Sequence, residues 1–300
     1  MRIYVKGAPE YVIPCCSQTL NHQVKPMKFT RNDQQEILSN VVDQEMASSG
    51  QKVLSFAFKE IKLQDLQALS QHCDVESDKF RKALEVDLIY LCTFGMDDPI
   101  RPGTNTAIHT IRHGHKDAVP DPNQPSQVNV RMVTGDHLET AKHVAVACGI
   151  VKREEIDEHE GVAMTGEQFR KAIGRYNKVW DPERSEYRID FLEKAGHGDQ
   201  TQFDAVKKRL KIIARCTAED RFILVTGIKQ KGGLVGMTGD SIADAEALRK
   251  ADVGLCMGTG CDVAKDNASL IISDNNFESI HKAIKWGRAI FDNVRKFLVF

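Results

Sequence analysis

Residues 130–150, VRMVTGDHLETAKHVAVACGI, decide the fold. An apolar run ends in the turn Thr134-Gly135-Asp136, and a run with apolar residues at helical spacing follows. Residues 233–250, GLVGMTGDSIADAEALRK, repeat the arrangement around Thr238-Gly239-Asp240. An apolar strand that ends in a small turn and opens a helix is where an α/β protein handles phosphate. The first amides of the helix point outward, and the helix dipole favours an anion there. In such a turn a threonine hydroxyl donates to a phosphate oxygen, glycine lets the backbone approach, and aspartate holds Mg²⁺. A single turn of this kind is commonly just a surface turn. Two of the same wording at matching strand ends point to one phosphate site.

Outward from these turns, strand-like and helix-like segments alternate. Strands are predicted at 53–58, 86–94, 128–133, 211–215, 233–237, 252–256 and 269–272. Helices are predicted at 31–49, 61–69, 103–113, 137–148, 166–174, 203–209, 219–230, 242–250, 262–268 and 277–296. From residue 86 onward the alternation predicts an α/β fold, a parallel sheet covered by helices. The nearly continuous apolar run Val86–Phe94 predicts a strand buried on both faces. Thr30 or Asn32 caps the start of the 31–49 helix, and Gly50 ends it. Two stretches break the rhythm. His113–Gln127 carries three prolines and reads as an exposed loop, and polar Tyr176–Gln200 reads as a surface insertion.

Composition narrows the function. A net charge of -1 over 300 residues gives no basic field for nucleic acid or acidic lipid. The eight cysteines show no CxxC, which fits reduced thiols in a cytoplasmic compartment better than a disulfide framework or a zinc site. The first residues do not read as a secretory signal, and no stretch approaches the ~18–20 apolar residues of a membrane span.

Further motifs carry chemistry, each with a plainer alternative. Lys6-Gly7 after a short strand lets a ligand lie on the backbone while the ammonium reaches its polar edge, or is a simple turn. In Asp98-Pro99-Ile100-Arg101-Pro102, Arg101 pairs with Asp98 or with a nucleotide phosphate. Asp240 and Asp244, four apart across a strand-to-helix turn, suit Mg²⁺ or simply complement a helix dipole. Arg215 and Arg221 flank Cys216–Asp220, where a cation neutralises a transferring phosphoryl group or is merely solvated. Cys261 opens a helix and reads as a buried thiol. The ten histidines form no ligand cluster.

Taken in order, these motifs resemble the cytoplasmic part of a P-type cation-transporting ATPase, closest in flavour to the plasma-membrane calcium pumps. The resemblance rests on KGAPE at 6–10, KVLSFAFKE at 52–60, DDPIRPG at 97–103, residues 130–150, ARCTAEDRFILV at 214–225, and residues 237–300. It implies that residues 1–88 are the C-terminal part of an α+β nucleotide-binding domain. Residues 89–300 would then form most of a haloacid-dehalogenase-like phosphorylation domain. It further implies ATP and Mg²⁺ as ligands. Lys6, Gly7 and Lys52 would lie near adenosine and phosphates, and Asp98, Arg101, Asp136 and Arg215 along the nucleotide path. Thr134, Gly135 and Arg221 would hold the phosphoryl group, and Asp240 and Asp244 the metal.

The chain also departs from the family pattern. The Asp-Lys-Thr-Gly-Thr motif that bears the family's nucleophile is absent from all 300 residues. Ser241 stands where the family has glycine, which predicts strain if the backbone there needs positive φ. Ala243 replaces an asparagine, Arg221 and Lys52 exchange lysine and arginine, and Glu246 replaces a common proline. The nucleophile strand is central in this fold, beside both Thr-Gly-Asp strands. Its absence predicts two unpaired strand edges, at roughly 1–3 kcal/mol for each unsatisfied buried backbone group. These departures favour a structural or regulatory subunit without catalysis of its own, with a protein partner supplying the missing strand. The alternative is a segment of an active ATP-driven calcium pump.

Overall fold

The computed structural model describes residues 1–72, 74–75, 77–113, 128–183, 185–191 and 200–300. The loop expected at His113–Gln127 falls almost wholly outside the described residues. The described chain divides into two compact units, Met1–Asp98 and Pro99–Phe300.

The first unit is a five-stranded sheet with helices. Its strands are β1 (Arg2–Gly7), β2 (Cys16–Leu20), β3 (Pro26–Lys28), β4 (Lys52–Glu60) and β5 (Leu88–Met96), in the order β1-β4-β5-β2-β3. The β1–β4 and β4–β5 pairs are antiparallel, whereas β2 and β5 run parallel. The short helix α1 (Pro9–Val12) follows β1, and α2 (Arg31–Glu36) precedes β4. Thr30 caps α2 in a reciprocal box with Asp33. The helix then widens into a π-helical stretch, Ile37–Ala47, and the chain turns at Gly50 with φ 89°. Two more helices, α3 (Leu63–His72) and α4 (Asp78–Leu84), lead to β5.

The expectation that the 86–94 strand is buried on both faces is overturned. Leu88 and Tyr90 join Val12, Ile13, Phe29 and Ala57 in the core, but Phe94 is 56% and Met96 47% exposed. An apolar run reports burial only if something covers both faces, and in the described residues one face of this sheet lies open. Because β5 pairs with β4 and β2, it belongs to the first unit's sheet.

The second unit opens with α5 (Thr104–His113), then β6 (Met132–Val133), α6 (Leu138–Ala147) and α7 (Arg153–Glu158). Next come β7 (Ala163–Thr165), α8 (Gly166–Ile173), β8 (Tyr176–Asp181) and β9 (Glu186–Phe191). Then follow α9 (Gln200–Arg209), β10 (Ile212–Ala214), α10 (Ala218–Gln230), β11 (Gly236–Gly239) and α11 (Ala245–Lys250). The unit closes with β12 (Val253–Met257), α12 (Asp262–Asp266), β13 (Leu270–Ile272) and α13 (Glu278–Val299). The strands form two separate parallel sheets, β6-β10-β7 and β11-β12-β13, and one antiparallel hairpin, β8-β9.

Two helices span both parallel sheets. On one face α5 sends Ile108 into the core under β10 and Ile111 into the core around Leu255 and Ile272. On the other, α10 places Phe222, Ile223 and Leu224 against Ile213 and Val225 against Ala247 and Ala251. The single sheet read from the sequence is thus two half-sheets held by shared helices.

The stretch from Tyr176 is not a loose insertion. Trp180 and Tyr187 meet edge to face across the β8–β9 hairpin with centroids 5.0 Å apart, and Ile189 is buried in the core. Lys178 pairs with Glu246 of α11 and lies 4.5 Å over the Phe222 ring of α10. The buried Lys250 of α11 donates to the Tyr187 carbonyl at 2.9 Å and pairs with Glu186 at 2.8 Å. These ion pairs and hydrogen bonds between the hairpin and α11 explain why so polar a segment is ordered. Residues 192–199 of the expected insertion lie outside the described residues.

Candidate functional site

In the first unit, the β1–β4–β5 register decides which side chains share the open face. Lys6 lies opposite Phe56, which lies opposite Cys92; Leu54 lies opposite Phe94 and Lys52 opposite Met96. Alternation along each strand puts these side chains on one side. The Phe56 and Phe94 rings meet edge to face at 5.6 Å, flanked by Lys6 and Lys52. An exposed aromatic surface between two ammonium groups can take a flat ring with an anionic tail. Sequence reasoning named the two lysines but missed Phe56 and Phe94. Phe56 lies in KVLSFAFKE and Phe94 in the apolar 86–94 run, and only strand register brings the two together. Gly7 is needed for packing, since a Cβ there would sit 3.1 Å from Val12. Lys52 forms an ion pair with Asp98, so two predicted site residues meet. Arg101 donates to the Asn275 carbonyl at 2.5 Å.

In the second unit, the first phosphate-type turn ends β6. The Thr134 hydroxyl donates to the Asp136 carboxylate at 3.0 Å and accepts from the Asp136 amide at 3.1 Å. Gly135 stands clear, with nothing within 4 Å of a Cβ built on it. Arg215 holds this turn from the end of β10. Its amide donates to the Asp136 carbonyl at 3.0 Å and its guanidinium to the Gly135 carbonyl at 2.8 Å. Arg215 does so at φ 47°, a conformation that costs a non-glycine residue about 1–3 kcal/mol.

The second turn ends β11 and is built around Asp244. Its Oδ2 accepts from the Ser241 hydroxyl at 2.6 Å, the Ser241 amide at 3.1 Å and the Asp240 amide at 3.3 Å. Its Oδ1 lies 3.1 Å from Arg221 Nε, an ion-pair distance without a straight hydrogen bond, and both side chains are only about a tenth exposed. Two expectations change here. Ser241 sits at φ −111°, ordinary extended backbone, so serine brings no strain and its hydroxyl supports the turn. Asp244, expected as a metal ligand, has its oxygens committed to the turn and to a cation. Asp240 is the better donor for Mg²⁺, because it is exposed and, among the described residues, no hydrogen bond engages its carboxylate. Among the described residues no group of three or more histidine, cysteine or acidic side chains is placed to hold a metal. Mg²⁺ needs few protein ligands, so Asp240 alone fits its habits and Asp244 does not.

Arg221 links the two turns. It opens α10 after the β10 strand that braces the first turn, and it pairs with Asp244 in the second. Behind it, Asp220 is fully buried and accepts from Arg170 at 2.6 Å and from the Thr217 amide and hydroxyl at 2.8 Å each. The bond to Asp220 raises the Arg170 pKa. Burial, with Asp220 nearby, pushes the Cys216 thiol up to about 12.

The strand edges carry the further feature of the site. Both strands that end in Thr-Gly-Asp, β6 and β11, are outermost in their sheets. Their residues are partly or fully exposed, whereas Ile212, Ile213 and Ala214 of β10 are buried.

Residues 1–103 match the family described as P-type ATPase, cytoplasmic domain N. Over its whole length the chain is similar to curated pumps. It is 32% identical over 305 residues to plasma membrane calcium-transporting ATPase 2 of Oreochromis mossambicus, covering 24% of that protein. It is 31% identical over 312 residues to the Caenorhabditis elegans plasma membrane calcium-transporting ATPase mca-1 and 32% identical over 305 to the Gallus gallus ATPase 1, covering 22% of each. The chain thus resembles P-type calcium-transporting ATPases over its whole length, and its first 103 residues match the family model. It spans about a quarter of the length of the curated relatives it matches. No described helix is long and apolar enough to cross a membrane.

Proposed function

We propose that these 300 residues supply the phosphate-handling part of an ATP-driven calcium pump of the P-type family, and that phosphoryl transfer requires a carboxylate-bearing strand seated between β6 and β11. The observation that carries this reading is the open edge on each Thr-Gly-Asp strand. Two parallel half-sheets share the helices α5 and α10, and among the described residues their two outermost phosphate-turn strands lack one neighbour each. A parallel strand there would take backbone hydrogen bonds from both sides and bring its C-terminal end to both turns at once.

The roles follow from the geometry. Thr134 and the amides after it bind the transferred phosphoryl group, with Gly135 leaving room for it. Arg215 fixes that turn through two carbonyls. Arg221 brings positive charge to the transferring group, and Asp244 holds the guanidinium in place. Mg²⁺ bound at Asp240 supplies neutralisation of the phosphate oxygens. In the first unit, the Phe56–Phe94 surface takes the adenine of ATP, and Lys6 and Lys52 attract its phosphates. We assign Met1–Asp98 to the nucleotide-binding part and Pro99–Phe300 to the phosphorylation part.

Mixing the chain with a relative's segment that carries the Asp-Lys-Thr-Gly-Thr strand tests the reading. Incubation with ATP and Mg²⁺ should yield a hydroxylamine-labile acyl phosphate on the added aspartate. A stable complex that never acquires this phosphate would overturn it. That outcome would favour the second reading, a non-catalytic subunit, to which the replacement of the site asparagine by Ala243 lends support.

A further inference from the structure

The chain reverses between β12 and α12 through Met257-Gly258-Thr259-Gly260, closed by a hydrogen bond from the Gly260 amide to the Met257 carbonyl at 2.8 Å. Cys256 and Cys261 flank this reversal. The Gly260–Met257 bond folds the chain back on itself, so Cys256 and Cys261 stand at the two ends of one tight turn. The two side chains also share one apolar cluster with Leu248, Ala264 and Ala268. Cys256 is fully buried, and a Cβ built on Gly260 would lie 2.7 Å from its sulfur, so the backbone just before Cys261 runs against that thiol. Cys261 is partly exposed and reachable from solvent.

The same turn touches the second phosphate turn. The Cys261 amide donates to the Asp240 carbonyl at 2.9 Å, and the Gly260 Cβ position lies 3.1 Å from the Asp240 Cα. Whatever fixes Cys261 therefore fixes the backbone of Asp240.

We propose that Cys256 and Cys261 are a redox modification site, forming an internal disulfide that latches the Asp240 turn. The oxidant is hydrogen peroxide. The partly exposed Cys261 thiol loses its proton and attacks a peroxide oxygen; the O–O bond breaks, leaving a sulfenic acid and one molecule of water. The Cys256 sulfur then displaces the sulfenic oxygen, which leaves as a second water, so two thiols and one peroxide become one disulfide and two waters. Cys256 is fully buried and Cys261 is not, which makes Cys261 the first to react and Cys256 the resolving partner. This inference does not depend on catalysis, since it concerns the thiols and the backbone they hold.

The test is peptide mapping of the folded chain after hydrogen peroxide treatment and alkylation. Both cysteines fall in the single tryptic peptide 251–265. The expected product is that peptide short of two hydrogens, blind to alkylation, and restored by dithiothreitol. Cys261→Ser should abolish it and leave Cys256 reduced, and Cys256→Ala should leave Cys261 trapped as sulfenic acid or a more oxidised form. Slower hydrogen exchange across 237–244 in the oxidised protein would show the latch. Wild-type protein in which Cys261 is oxidised or alkylated while Cys256 stays free overturns the proposal, as does a disulfide that leaves exchange at 237–244 unchanged.

Discussion

Gly135 and Gly239 occupy the same place in the same three-letter turn, yet their replacement by alanine should have unequal effects. A Cβ on Gly239 would lie 2.5 Å from Asp244 Cβ and 2.7 Å from its Cγ. The nearer atom is the root of a side chain, so Asp244 itself has to move. Moving it weakens its bonds to Ser241 and Asp240 and its pair with Arg221. Overpacking of this kind costs about 2 kcal/mol, and the lost capping about 1. Removing a glycine from the unfolded chain returns about 0.5, leaving a net loss of about 2.5 kcal/mol. Gly135→Ala meets nothing, so it should be neutral or stabilise by about 0.5 kcal/mol. Both tryptophans, Trp180 and Trp286, lie in the second unit, so their emission in a urea titration reports its unfolding. With a slope of about 2 kcal/mol per molar, Gly239→Ala should lower the midpoint by about 1 M. If the two variants fall within about 0.5 kcal/mol of each other, the packing argument is wrong.

Two further outcomes follow from buried groups of the same unit. Asp220→Ala should cost about 3 kcal/mol in the same titration, the low end for breaking a buried pair because Arg170 is a third exposed. Asp220→Asn, which keeps the shape, should cost less; equal losses would remove the charge from the explanation. The second outcome concerns alkaline pH. Cys216 is raised from 9.0 to about 12, so the folded state holds its proton after the unfolded state has released it. The stability from this group is complete below pH 9 and falls as pH rises toward 12, by about 2 kcal/mol near pH 10.5. Cys216→Ala should flatten that alkaline slope, and an unchanged slope would assign it elsewhere.

Much of the architecture was legible in the sequence because it is written in short-range period. The helices at 104–113, 138–147 and 218–230 lie where periodicity placed them, whereas the strands before the two Thr-Gly-Asp turns are only Met132–Val133 and Gly236–Gly239, against the predicted 128–133 and 233–237. Short elements escaped: β7 has three residues, too few for a period to register. The β8–β9 hairpin was hidden by its polarity, since its lysines and carboxylates answer partners far along the chain. Phe56 and Phe94 were legible as strand residues but not as neighbours, because only register across β4 and β5 brings them together.

By itself the sequence determined the α/β class, the two phosphate-type turns and the family resemblance, since each is carried by contiguous residues. Tertiary structure decided what those residues can do. It put Asp244 under Gly239 and nothing under Gly135, gave Ser241 an ordinary backbone, and turned Asp244 from a metal ligand into the anchor of Arg221. It also left β6 and β11 at the edges of separate sheets. The physical reason is common to all of these. Propensity and period act over a few residues, whereas packing clearance, ion pairing and strand order depend on which distant segments meet.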